Sequence, residues 1–162
     1  METKKIILFT IILMITISSL SIVNAALFGS DTKEVKVDGV IFVLDNSIKI
    51  TSEQNNFTNF HVKSGITGFL SKILNEQDLE GYIKNDTELG YTVFEVNSGS
   101  DIKEYGFIDA DSSKGYFIIF QKDGKNFVYK ISTGLNADDR DVKQIAGLMS
   151  KFIKDNSDIK PI

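Results

Sequence analysis

Two Asp-Gly pairs, Asp38-Gly39 and Asp123-Gly124, each separate two β-rich runs, and they constrain the fold more than any other feature of the chain. A two-residue hairpin turn of this kind needs positive φ at both central positions, which Asp tolerates and Gly adopts freely. Each pair therefore predicts two antiparallel strands. Before the first turn, Val35 and Val37 alternate with Glu34 and Lys36; after it, Val40, Phe42 and Leu44 alternate with Ile41 and Val43. The second of these runs is apolar on both faces, so it is expected to be central or covered on both sides. Around the second turn, Tyr116–Phe120 is again apolar on both faces and expected to be central. Phe127, Tyr129 and Ile131 form its return strand, alternating with Val128 and Lys130.

Shorter β-type runs occur at 48–51, 57–62, 91–96 and 105–108. Polar stretches at 52–56, 97–101 and 109–115 read as loops. Residues 66–85 read as helical, either one bent helix or two short ones. Phe69, Leu70, Ile73 and Leu74 stand at helical spacing, Asn75 offers a cap, and Leu79, Tyr82 and Ile83 continue the stripe. Asn85–Gly90 reads as a polar break. The clearest helix is the last. Asn136 or Asp138 can cap it, and Asp138, Asp139 and Asp141 lie near its positive end. From Val142 to Ile153 the apolar residues fall on one side, as suits a helix laid on a sheet.

These elements predict an α+β fold: an antiparallel β-sheet built from hairpins, with a helical segment in the middle and a C-terminal amphipathic helix packed on it, preceded by an N-terminal hydrophobic helix. The domain order is a signal peptide or membrane anchor at 1–25, a connector at 26–32, a single α+β domain at 33–156 and a tail at 157–162.

The leading segment determines the expected address. Lys4 and Lys5 precede Ile6–Val23, a run with no charge. Val23 and Ala25 occupy the −3 and −1 places of a signal-peptidase site, which predicts cleavage after Ala25. An uncleaved anchor is the alternative, since a helix of that length rises about 27 Å, close to the roughly 30 Å hydrocarbon core. The expected location is extracytoplasmic, secreted or held to the membrane through residues 6–23.

Composition narrows the chemistry. The chain has no Cys, which excludes disulfides, Cys-ligated metals and a thiol nucleophile. Its 18 Lys+Arg against 22 Asp+Glu give a net charge of −4. Residues 1–25 hold two of the lysines and one of the glutamates, so the remainder stands at −5. Nucleic acid is disfavoured as a partner, because its binding depends on basic patches. The expected partner is a protein or an envelope component.

Four constellations invite a chemical reading. Asp109, Asp111 and Ser113 begin like a calcium-binding EF-hand loop, but Gly115 falls one place late and the twelfth position is Phe120. Asp138-Asp139-Arg140-Asp141 is accounted for by helix capping. His61 is the single histidine, and no Gly-x-Ser-x-Gly elbow accompanies it. Asn56-Phe57-Thr58 and Asn85-Asp86-Thr87 match the N-glycosylation acceptor pattern. No catalytic, cofactor-binding or metal residue is assigned on this basis, and no cofactor is expected. The leading expectation is a non-enzymatic exported or membrane-tethered domain with an envelope-associated binding or interaction role. The alternative is an extracytoplasmic hydrolase using His61 or a carboxylate pair, which requires a pocket gathering His61 with Ser or Asp side chains.

The stretch Phe28-Gly29-Ser30, followed by Val35-Lys36-Val37-Asp38-Gly39-Val40-Ile41-Phe42-Val43-Leu44, resembles the opening of small uncharacterised exported proteins of methanogenic archaea. Those continue with Pro-Asp/Glu-Gly-Tyr, where this chain has Asp45-Asn46-Ser47. The element order is also similar to that of PsbP-like domains. The second resemblance implies an antiparallel sheet flanked by helices, and neither supplies functional residues to carry over.

Overall fold

The computed structural model describes residues 31–63, 65–73, 79–96, 100–135 and 137–162. The hydrophobic segment 6–23, Asn75, Asn136 and most of the 97–101 turn lie outside them. The domain is α+β, with mostly antiparallel strands and, among the described residues, two helices.

The first hairpin is β1 (Thr32–Val37) and β2 (Val40–Asp45), closed by Asp38 and Gly39 at φ 49° and 83°. The larger sheet contains β3 (Lys49–Gln54), β4 (Phe57–Lys63), β5 (Ile66–Lys72), β6 (Thr92–Val96), β7 (Glu104–Ile108), β8 (Lys114–Lys122) and β9 (Lys125–Thr133). Its order is β3-β4-β5-β9-β8-β7-β6, all neighbours antiparallel. Asp123 and Gly124 turn β8 into β9 at φ 51° and 73°. Both turns thus adopt the conformation their dipeptides predict.

Helix α1 (Leu79–Glu88) lies beside β6, and helix α2 (Asp139–Asp155) packs on β2, β8 and β9. Two apolar layers result. One joins the hairpin, α2 and one sheet face through Phe42, Phe120, Phe127, Tyr129, Met149 and Phe152. The other gathers Tyr105, Phe107, Phe117, Ile119 and Val128 on the opposite face, with Tyr82 and Ile83 of α1 against them. Strand β8 feeds both layers, as its two-sided apolar sequence predicts.

Several expectations are corrected. Residues 66–72 are not helical: they form β5, paired with β4 on one side and β9 on the other. The segment ITGFLSK also fits period two, with Ile66 and Leu70 buried on one face and Thr67 and Phe69 on the other. Gly65, at φ 80°, closes the β4–β5 turn, which pairs Lys63 with Ile66. Helix α1 runs on to Glu88 through the expected break, because Asp86 is buried against the sheet rather than solvated. Strand β2 is neither central nor covered on both sides. It belongs to a two-stranded sheet, and Ile41 on its outer face is 50% exposed. Strand β3 extends to Gln54, through much of the expected 52–56 loop. The loop after β7 ends at Ser113, since β8 starts at Lys114. Residues 157–162 include β10 (Lys160–Pro161), which pairs with Gln121 and Phe120 of β8 while Ile159 is buried.

Candidate functional site

On the sheet face opposite α2, strand register places side chains in two cross-strand rows. One row runs Asn59, Phe69, Lys130, Phe117 and Tyr105; the next runs His61, Thr67, Ser132, Gly115 and Phe107. The β6–β8 end of this face carries the apolar layer beside α1. Toward β4, β5 and β9 the face opens into a cleft of about 520 Å³. That lies within the range of small-molecule sites, about 300–1,000 Å³.

Asn59, His61, Thr67 and Ser132 line the cleft from the strands, while Phe69, Tyr91 and Phe107 supply ring surface. Asp109 and Lys130 also line it. Phe107 leans over Gly115, where an added Cβ would meet its ring at 2.3 Å and the Ile131 carbonyl at 2.6 Å. Gly115 therefore admits the ring into its place. Tyr91 stacks on Phe107, centroids 5.6 Å apart and planes at 13°.

The charge at the inner end is internally matched. Lys130 Nζ donates to Asp86 Oδ2 of α1 at 2.8 Å, and the two side chains are only 11% and 6% exposed. The ammonium lies 4.4 Å from the Phe107 centroid and 4.7 Å from that of Tyr91, with Tyr82 and Phe117 each at 5.7 Å. A cation so placed is attracted to the ring faces. Burial, reinforced by Asp86, Asp109 and Asp111, holds the Tyr91 phenol above its usual value of 10.0, so it remains an O–H donor at neutral pH. Burial raises the Tyr82 phenol as well, with Asp86 next in effect.

The structure brings His61, Ser132 and Asp109 to one cleft. Yet Thr67 stands between His61 and Ser132 in the row, so their Cα atoms are two strand spacings, about 10 Å, apart. Among the described residues no side-chain hydrogen bond joins His61 to Ser132 or Asp109. Asp109 instead fastens its own turn, its Oδ1 accepting from the backbone N–H of Asp111 at 3.0 Å and of Ser113 at 2.9 Å. Among the described residues no three acidic, His or Cys side chains cluster as a metal site.

Asp138 is the helix cap that its position predicts. It accepts from the backbone N–H groups of Arg140 at 2.8 Å and Asp141 at 3.1 Å, and Asp141 Oδ2 accepts from Asp138 N at 3.3 Å in return. The Arg140 guanidinium holds the Asp138 carboxyl below its ordinary range. Asp141 also pairs with Lys63 at 2.7 Å. Of the two acceptor patterns, Asn85 is exposed on α1, whereas Thr58, the third residue of the other, is fully buried.

Sequence reasoning passed over Lys130, Asp86 and Tyr91. One signal was present: Lys130 is a charge set within Phe127–Ile131, a strand otherwise apolar on both faces. A lysine there must find a partner or leave the sheet. No helix among the described residues is long and apolar enough to cross a membrane. No protein-family model and no curated protein matches the chain.

Proposed function

We propose that this chain is an exported or membrane-tethered domain that binds a ligand or envelope component without transforming it, and that the cleft beside α1 is where it binds. The observation that carries this reading is the cleft itself, walled by aromatic rings and floored by polar side chains on rigid strands. Sites of this mixed character orient a ligand through a few polar groups and hold it by apolar contact. The export half rests on the charge-free run at Ile6–Val23 behind two lysines. The competing hydrolase reading draws on His61, Ser132 and Asp109 sharing the cleft, and the two-strand separation of His61 from Ser132 weighs against it.

Mass spectrometry of the protein's N-terminus in its native cells, combined with protease treatment of intact cells, tests the address. A chain starting at Ala26, or an intact chain digested from outside, is expected. An intact chain protected until lysis overturns the reading.

A further inference from the structure

Resting on that binding reading, the geometry points to a neutral oligosaccharide as the chemical class of ligand for the cleft. The strand-borne groups are an amide at Asn59, hydroxyls at Thr67 and Ser132, and the His61 imidazole. They repeat across β4, β5 and β9 at the strand spacing of about 4.8 Å, comparable to the length of one sugar ring. Each amide or hydroxyl both donates and accepts, as a sugar hydroxyl does. The half-buried ring of Phe69 supplies apolar surface at the same site, suited to the C–H face of a pyranose.

Charge excludes the other ligand classes. An anion would meet the Asp109 carboxylate, while the Lys130 ammonium in the cleft is already paired with Asp86 at 2.8 Å. An organic cation would seek the faces of Tyr91 and Phe107, and Lys130 already stands over both. A wholly apolar ligand would cover the Thr67 and Ser132 hydroxyls without offering them hydrogen bonds. A neutral polyol satisfies these groups and leaves the Lys130–Asp86 pair undisturbed.

The single histidine makes the test direct, because one imidazole resonance reports the cleft. The full chain, labelled at histidine and purified in detergent, is titrated separately with maltotetraose, cellotetraose, triacetylchitotriose, inorganic phosphate and tetramethylammonium. A saturable His61 shift with at least one oligosaccharide, and none with the two ions, is expected. Thr67→Val keeps a β-branched residue at an exposed strand position, and Ser132→Ala removes the neighbouring hydroxyl. Each is expected to weaken that binding about tenfold while leaving the fold intact. A shift with phosphate or tetramethylammonium but no sugar overturns the ligand class and leaves the cleft as a binding site. No shift with any of the five overturns both readings. Sugar binding that survives both substitutions unchanged places the sugar elsewhere and overturns the proposal.

Discussion

The side-chain amide of Asn156 pairs with both backbone polar groups of Val43: Nδ2 donates to the Val43 carbonyl at 2.9 Å and Oδ1 accepts from the Val43 N–H at 2.9 Å. The same Nδ2 donates to the Phe152 carbonyl at 2.8 Å, and the Asn156 backbone N–H reaches that carbonyl at 3.1 Å. One buried residue thus closes the last turn of α2 and occupies the outer edge of β2, where backbone groups would otherwise be left unpaired. It ties the hairpin to the helix across 113 positions of sequence.

Asn156→Ala is therefore expected to cost about 2–3 kcal/mol, since it strips partners from buried or half-buried backbone groups. Asn156→Asp is expected to cost at least as much: it keeps an acceptor for Val43 N but loses the donors to both carbonyls. Urea denaturation of both variants measures this. A loss below about 0.5 kcal/mol for both, the range of an ordinary surface change, would show that water replaces the amide freely.

The first hairpin turn carries a pH-sensitive anchor. Asp38 pairs with Lys72 and Lys125, each at 2.9 Å, and its backbone carbonyl accepts from Lys125 Nζ at 2.7 Å. The Lys72 ammonium, and then that of Lys125, hold its carboxyl below the ordinary 3.8. A lowered folded-state pKa contributes stability above the unfolded value, and that contribution is lost as pH falls through the folded value. Thermal midpoints are expected to hold steady above about pH 5 and to fall below about pH 4. Asp38→Asn tolerates the same positive φ and removes only the charge. It should lower the midpoint at neutral pH and flatten the acid limb; an unchanged limb would assign the acid loss to other carboxylates.

Legibility differed by element for physical reasons. Helix α2 was plain because pattern, cap and dipole all agree at Asp138, Asp141 and the Ile145–Phe152 stripe. The two Asp-Gly turns were plain because each needs only its own dipeptide. Strand β5 was misread because its seven residues satisfy both periods, and what decides them is β9, which sets Leu70 opposite Tyr129. The Ser64-Gly65 dipeptide was the local hint of a turn before it. His61 was singled out by composition and does line the cleft. Lys130 is marked only as a charge inside an apolar strand, and its partner Asp86, 44 residues away, has no local signature that ties it to that lysine.

Tyr129 offers a test of the core. It is fully buried between Phe152, centroids 4.0 Å apart, and Phe60 at 5.6 Å, and among the described residues its hydroxyl has no hydrogen-bond partner. Burial raises its pKa, so the group stays a neutral phenol throughout the working range. An unpaired buried hydroxyl costs free energy, so Tyr129→Phe is expected to stabilise the domain by about 1 kcal/mol while keeping both stacks. A destabilisation of similar size in chemical denaturation would mean that the hydroxyl has a partner, such as an ordered water.

The Lys130–Asp86 pair separates two views of why α1 sits where it does. If charge holds the helix, either partner alone is a liability. Asp86→Leu leaves a buried ammonium, and Lys130→Met leaves a buried carboxylate, so each is expected to cost about 3–5 kcal/mol. The rings around Nζ soften the first loss, because Tyr91 and Phe107 still face the cation. Replacing both partners, Lys130→Met with Asp86→Leu, removes the two desolvation costs together. The double variant is expected to recover most of the loss and to approach the stability of the parent chain. A double-mutant cycle by chemical denaturation reads the coupling. If the two losses simply add, the pair does not act as a unit, and α1 is held by the contacts of Tyr82 and Ile83 with the aromatic layer.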